Sequence, residues 1–333
     1  MQSRLKAVFK YILIIGATAF LIWFSLRGLN VEPGEDKWDY LVRTWRMAHK
    51  GWLFFMAILA IVSHILRAER WRMLLVPAGY KTTLTYSFLS LMVGYLINLV
   101  VPRGGEVSRC YNLYKLDKTP AEISFGTVVV ERIVDLLCLL ILLIVAFIIE
   151  SDKLFQFLET LPWSTSGQSS KLVVLLFLLV GVILVGVVFY LILKRNKKVQ
   201  AFVAKMWMGF KEGLLSVFKL ENKALFVFHS LAIWFLYFLM SYAVIQAFPQ
   251  TQHLGFSAVL SLFAIGSIAM AAPLPGGAGS YHVLVPKGLV FLYAIPESDA
   301  VAFTFIFHGW QTAIMIVMGA IAVLVSSLLM KKQ

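Results

Sequence analysis

Eight apolar stretches decide what this chain can fold into: residues 11–26, 51–66, 82–101, 123–149, 172–193, 224–248, 254–272 and 300–330. A helix needs about 20 apolar residues to cross roughly 30 Å of hydrocarbon, and most of these runs approach or exceed that length. With 60% hydrophobic residues, 14% charged residues and a mean hydropathy of +0.84, the 333-residue chain has too little polar surface for a soluble globule of its size. The class expected is an all-α integral membrane protein. Run 11–26 follows Arg4, Lys6 and Lys10 as a signal peptide would, but no small-residue cleavage site comes after it, so it reads as an anchor helix. Cys110 and Cys138 cannot form a disulfide framework. The net charge of +13 is spread between apolar runs with no aromatic-rich basic domain, which points to anionic lipid headgroups as partners and away from nucleic acid.

Charge also indicates which runs cross. If all eight span with the N-terminus inside, the outer loops hold about 18 Lys and Arg against about 11 inside, against the positive-inside bias. If runs 82–101 and 254–272 instead enter, bend at a Pro-Gly-Gly tip and leave by the same face, the count becomes about 21 inside and 8 outside. The expectation is therefore about six full crossings plus two re-entrant helical hairpins, near 86–116 and 256–295, with both termini cytoplasmic. One hairpin enters from each side, so the halves, about 51–149 and 224–330, form an inverted repeat within a single polytopic domain, 1–333. Setting Pro120 against Pro296 places Arg132 opposite His308 and Asp135 opposite Gln311. Transporters often place a substrate site where such broken helices meet near the midplane. Between the halves, the basic segment 194–223 carries an apolar stripe that includes Phe202, Trp207 and Phe210, as an interfacial helix on an anionic leaflet would. Segment 27–50, with Trp38 and Trp45, reads as holding a short surface helix.

The chemistry-bearing residues cluster at the two tips. In run 123–149 only about 14 residues follow Asp135, roughly 21 Å of helix, too short to span alone. Glu131, Arg132 and Asp135 are therefore immersed, and charges at that depth cost several kcal/mol each unless paired or facing a wet cavity. Either they form an internal ion pair, with Arg132 bonded to Glu106 or Asp135, or they hold a ligand. The first tip contains Asn98, Pro102, Arg103, Gly104, Gly105, Glu106 and Arg109; backbone amides opened by the glycines, together with arginine forks, suit a phosphate. The second tip, Pro275, Gly276, Gly277 and Tyr281, offers backbone and hydroxyl donors without charge, or serves only as a hinge. His282 and His308 are proton-carrier candidates whose ordinary reading is hydrogen-bonded packing. No metal-ligand spacing, nucleophile elbow or nucleotide-binding loop occurs, so neither metal nor cofactor is expected.

Three ordered motifs, Asn98-x-x-x-Pro-Arg-Gly-Gly-Glu-x-x-Arg109, Val130-Glu-Arg-Ile-Val-Asp135 and Pro273-Leu-Pro-Gly-Gly-Ala-Gly279, resemble those of the lysylphosphatidylglycerol synthase transmembrane-region family. That family includes the flippase domain of the multiple peptide resistance factor. The resemblance implies lipid translocation in the cytoplasmic (inner) membrane. It does not imply aminoacyl transfer, because the soluble transferase domain of the two-domain synthases has no counterpart here. The substrate expected is a phospholipid or a polyprenyl-phosphate-linked lipid. Two alternatives stand beside this reading: a membrane-embedded transferase acting on polyprenyl-phosphate lipid, and an accessory subunit of a lipid-modifying enzyme. Self-association is a further expectation.

Overall fold

A computed structural model describes residues 16, 18–29, 35–150, 207, 211, 215–272 and 274–331. Apolar run 172–193 and most of the basic segment 194–223 lie outside the described residues. Among those described, every element is helical: α1 (Thr18–Arg27), α2 (Lys37–Met47), α3 (Lys50–Leu75), α4 (Leu84–Asn98), α5 (Gly105–Asp117), α6 (Ala121–Ile149), α7 (Lys223–Ala247), α8 (Phe256–Ala271), α9 (Ser280–Tyr293) and α10 (Glu297–Lys331), with short 3-10 turns between some of them. Among the described residues, three segments are long and apolar enough to cross a membrane: Lys50–Ala78, Lys223–Ala247 and Glu297–Lys331. The helices at Thr18–Arg27, Leu84–Asn98 and Phe256–Met270 are apolar but shorter. Segment 27–50 does hold a short helix, α2, tied to α10 by the Tyr40 hydroxyl, which donates to Asp299 Oδ1 at 2.7 Å.

Local chemistry sets the boundaries. Thr83 accepts from the Tyr86 amide at the start of α4, and Asn222 accepts from the Leu225 amide at the start of α7, each satisfying an amide that has no partner within its helix. The connections α5–α6 and α9–α10 share one construction. Lys118 (φ 61°) and Ala294 (φ 52°) each end a helix in the left-handed region, and a proline, Pro120 or Pro296, stands two residues on and opens the next helix.

α4 and α5 form an antiparallel pair closed by a bend at 99–104. A Cβ on Gly94 would meet Gly105 and Arg109, while one turn further back Ser90 accepts from Asn112 Nδ2 at 3.1 Å. α8 and α9 repeat the pattern: Ser280 donates to the Ala269 carbonyl, Gly266 lies under Tyr281, and Gly288 lies against Ile265. Small residues let these backbones approach closely, the usual device where lipid offers no hydrophobic drive for helix pairing. Gly105 is the tightest point, since a Cβ there would run into the Gly94 carbonyl and the Asn98 amide. Gly105→Ala should therefore cost about 1–3 kcal/mol from overpacking. The check is a thermal melt in detergent beside Gly255→Ala, whose added Cβ meets nothing within 4 Å and should leave the melt unchanged.

α3 and α7 pack together along their length in opposite directions. The His49 amide at the head of α3 reaches the Ala247 carbonyl at the tail of α7, and Arg70 near the tail of α3 reaches Ser230 near the head of α7. α4 packs on α10 and α8 packs on α6, so each bent pair lies against the last helix of the other half. The largest buried apolar cluster joins α3, α6, α7, α8, α9 and α10. The two bends touch: a Cβ on Gly276 would come 3.0 Å from Leu99 Cδ2.

Candidate functional site

One face of α6 carries Glu131 and Asp135, four residues apart and therefore stacked one above the other. Glu131 is fully buried, and Asp135 nearly so. Their partners come mainly from α3. Arg67 Nη2 donates to Asp135 Oδ2 at 2.9 Å, and Arg70 Nη2 donates to Asp135 Oδ1 at 2.7 Å. Arg70 Nη2 also stands 3.6 Å from Glu131 Oε1, and Arg109 from α5 donates to Glu131 Oε2. Two further donors reach neutral oxygens, Arg67 Nη1 the Tyr237 hydroxyl at 2.8 Å and Arg70 Nη1 Ser230 Oγ at 3.3 Å, while among the described residues the Nε groups of Arg67, Arg70 and Arg109 are buried with no hydrogen-bond partner. The Arg109 guanidinium lies 4.5 Å above the Trp71 ring, a cation–π contact in a desolvated setting.

Arg132, one residue after Glu131 and three before Asp135, lies at the margin of this cluster. Its Nη2 donates to Glu106 Oε1 at 2.8 Å, and its Nη1 is 4.0 Å from Asp135 Oδ2. The Arg132 side chain is 45% exposed, against 4% for Arg109. Glu106 Oε2 is buried with no hydrogen-bond partner. The ion-pair alternative raised for Arg132 is thus what the geometry contains, and the pair sits at the open edge of the cluster. Four arginines, Arg67, Arg70, Arg109 and Arg132, face three carboxylates, Glu106, Glu131 and Asp135, leaving one positive charge in excess.

The predicted tip residues divide in role. The Gly105 amide, expected to be open to a ligand, is taken by the Asn98 side-chain oxygen at 2.7 Å, so Asn98 fastens the bend. Gly104 packs against Val101. Arg103 is exposed and holds a left-handed conformation (φ 57°) at the bend. At the second tip, Pro275–Gly277 forms a 3-10 turn whose Gly276 carbonyl lies 3.0 Å from His308 Nε2, and Tyr281 stacks on His308 at 5.4 Å between ring centres. Gln311 lies close to one turn beyond His308 and is partly exposed. Arg132 and His308, set opposite each other by Pro120 and Pro296, each bond the bent pair before them, Arg132 at Glu106 in the first turn of α5 and His308 at the Gly276 carbonyl. The His282 ring is 4.8 Å from that of His308, its Nδ1 is 3.3 Å from the Gly279 amide, and its carbonyl accepts from Ser25 of α1 at 2.5 Å.

Sequence reasoning missed Arg67 and Arg70. The second apolar run ends at residue 66, just before Arg67, Glu69, Arg70 and Arg72, yet α3 continues to Leu75. A signal was available. Arg67, Arg70, Trp71 and Leu74 fall at i, i+3, i+4 and i+7, one face of a helix, and all four are buried.

A family model described as the Lysylphosphatidylglycerol synthase TM region matches residues 11–319. The chain belongs to that family. It is a membrane protein, and every candidate site residue, from Asn98 to Gln311, falls inside the region matched to the Lysylphosphatidylglycerol synthase TM region. Two UPF0104 membrane proteins of Methanocaldococcus jannaschii are similar to this family member. One is 26% identical over 172 residues, covering 50% of this chain and 48% of the relative. The other is 28% identical over 207 residues, covering 61% of this chain and 81% of the relative. The glycosyltransferase AglD of Haloferax volcanii is 24% identical over 336 residues, covering 92% of this chain but 53% of that protein. The match thus spans about half the length of two of these three relatives. No solved structure gives a significant match.

Proposed function

We propose that this chain translocates a phosphate-bearing membrane lipid, a phospholipid or a polyprenyl-phosphate-linked lipid, past a mid-depth site where the two bends meet. The single observation that carries the reading is the Arg132–Glu106 pair: a partly exposed arginine held by one carboxylate, at the edge of a buried cluster with excess positive charge. A lipid phosphate takes the place of Glu106 on Arg132, forming charge-assisted hydrogen bonds to the guanidinium fork. Arg103 at the neighbouring bend adds a second cation. Arg67, Arg70 and Arg109, tied to Glu131 and Asp135, form the frame that keeps α3, α5 and α6 in place around the exchange. His308, Gln311, Tyr281 and the backbone of Pro275, Gly276 and Gly277 make the uncharged wall opposite. The lipid passes with its acyl chains in the bilayer, and Glu106 returns to Arg132 once the site empties.

In this reading the protein is a single polytopic domain of the cytoplasmic membrane, with about six crossings, both termini inside, and the bent pairs α4–α5 and α8–α9 entering from opposite sides as an inverted repeat. Three features support the repeat: equivalent helices α3 and α7 run antiparallel, each bent pair lies on the last helix of the other half, and the Lys118–Pro120 and Ala294–Pro296 connections match. The topology has a direct check in a Cys110→Ala, Cys138→Ala background. A membrane-impermeant maleimide should label Asp36→Cys and Gln252→Cys in intact cells, and Lys81→Cys and Glu221→Cys only after permeabilisation. Labelling of Gln252→Cys and Glu221→Cys from the same side would remove the inverted arrangement.

Function is tested by reconstituting the full chain in liposomes containing a headgroup-labelled phospholipid and measuring the accessibility of the label. Translocation by the wild type is expected. Undiminished translocation after Arg103 and Arg132 are replaced together would remove the assigned mechanism. The printed name of the Haloferax relative favours a second reading, a transferase acting on a polyprenyl-phosphate lipid. The carboxylates such an enzyme would use as base, Glu131 and Asp135, each face at least two arginines here, which favours translocation. Product formed by the purified chain from a polyprenyl-phosphate sugar would reverse that preference, and co-purification of a synthase, with no transport by the chain alone, would indicate an accessory subunit.

A further inference from the structure

α5 differs from the other short helices of the bent pairs. α4 and α8 carry no charged residue and α9 carries one cation, Lys287, whereas α5 carries Glu106, Ser108, Arg109, Asn112, Lys115 and Asp117 along 13 residues. One face is accounted for: Gly105, Arg109, Cys110, Leu113 and Leu116 are buried against α4, α6 and neighbouring elements. The opposite face is not. Val107, Tyr111, Tyr114 and Lys118 fall at i, i+4, i+7 and i+11, a continuous stripe, and all are exposed, Tyr111 by 57% and Tyr114 by 43%. Lys115 Nζ lies 5.4 Å from the Tyr111 ring centre and Lys118 Nζ lies 6.0 Å from that of Tyr114, so both ammonium groups run along the stripe, and a contact to a ring face consumes no hydrogen-bond donor.

α7 begins at the same end of the molecule, where Phe226 and Leu220 pack with Leu74 of α3 and Val130 of α6. Its exposed face over the first turns is Val227, Phe228, Leu231 and Phe235, what acyl chains require. At comparable distance from that end, α5 presents hydroxyls and ammonium groups instead. The inner end of the stripe reaches the level of the Arg132–Glu106 pair, because Val107 and Glu106 share the first turn of α5, Glu106 standing on the flank of the buried Arg109, Cys110 and Leu113. Its 13 residues extend about 20 Å, enough to join the membrane surface to mid-depth across a half-bilayer of about 15 Å of hydrocarbon.

We propose that the exposed face of α5 is the track by which the phosphate headgroup of a lipid travels between the membrane surface and the Arg132–Glu106 pair. Lys118 and Lys115 receive the phosphate at the surface end, the Tyr114 and Tyr111 hydroxyls donate to it further in, and Arg132 takes it at the inner end. The occupant is a lipid phosphate, argued from charge complementarity with Lys115, Lys118 and Arg132 and from the shared level of Val107 and Glu106 at the inner end of α5. This assignment rests on the translocation reading and adds to it the route and the residues along it.

The test is photo-crosslinking in the full-length protein, with a photoreactive residue replacing Tyr111, Tyr114 or, on α7, Leu231, in liposomes containing phosphatidylglycerol with a radiolabelled glycerol headgroup. Headgroup label should attach at positions 111 and 114 about tenfold more than at 231, and the double variant Lys115→Gln, Lys118→Gln should lower it about thirtyfold, as loss of two surface cations implies. A lipid labelled on the acyl chain should attach readily at 231, which verifies that position as a control. Equal headgroup labelling at 111 and 231, or none lost in the double variant, overturns the track while translocation by the wild type stands. Headgroup labelling as expected in a protein that moves no lipid overturns the transport reading instead and leaves α5 as a headgroup-binding face.

Discussion

Glu131→Ala is expected to destabilise the protein by about 3–5 kcal/mol, the usual consequence of removing one partner from a buried ion pair. Glu131 is fully buried between Arg109 and Arg70, and neither arginine has a nearby route to water, since their side chains are 4% and 0% exposed. Arg70 keeps Asp135, but Arg109 is left with the Trp71 ring as its principal neighbour. The loss is therefore mainly the cost of an uncompensated cation, and a second substitution separates that from lost packing. Arg109→Met together with Glu131→Met removes both charges and keeps the volume, and it should recover most of the stability. Thermal melts of the detergent-purified variants read both. A Glu131→Ala protein as stable as the wild type would mean that water already reaches this cluster.

Arg132→Gln should do the reverse, leaving the fold nearly intact and stopping transport. Arg132 is 45% exposed and its loss strands only the partly exposed Glu106, so the melting temperature should fall much less than for Glu131→Ala. Lipid translocation should fall about tenfold to a hundredfold, the value of one charge-assisted hydrogen-bonding group lost from a binding site. The contrast with Glu131→Ala is the informative part, since two adjacent residues on α6 then separate stability from activity. Wild-type translocation by Arg132→Gln would transfer the phosphate to another cation and withdraw the role given to Arg132. Retained translocation with a sharply lowered melting temperature would make the pair structural.

Much of the arrangement was legible in the letters because its causes are local. Apolar run length marks the helices, and the Pro-Gly-Gly tips mark bends where a helix cannot continue. Pro120 and Pro296 mark helix starts, and α6 and α10 begin directly after them. The charged residues of the α6 face could be seen to need partners, because a helix that deep cannot leave Glu131 or Asp135 alone. What could not be seen was who supplies those partners. Arg67 and Arg70 stand beside Glu69 and Arg72, a charge density that in a linear reading ends a transmembrane run, although only the face bearing Glu69 and Arg72 is partly exposed. Asn98 and Arg109 were read as ligands for an incoming phosphate. The fold instead commits Asn98 to the Gly105 amide and Arg109 to Glu131.

The amino-acid order alone thus determined an all-helical membrane protein of the Lysylphosphatidylglycerol synthase TM region family, where its helices bend, and which immersed charges demand an explanation. The tertiary structure decided which arginine satisfies which carboxylate, and therefore that Arg132 is left at the open edge. The physical reason is range. Helix length, bends and caps depend on neighbours a few residues away, whereas an ion pair in a low-dielectric interior is settled by which helix faces meet across tens or hundreds of positions, as α3, α5 and α6 do around Glu131.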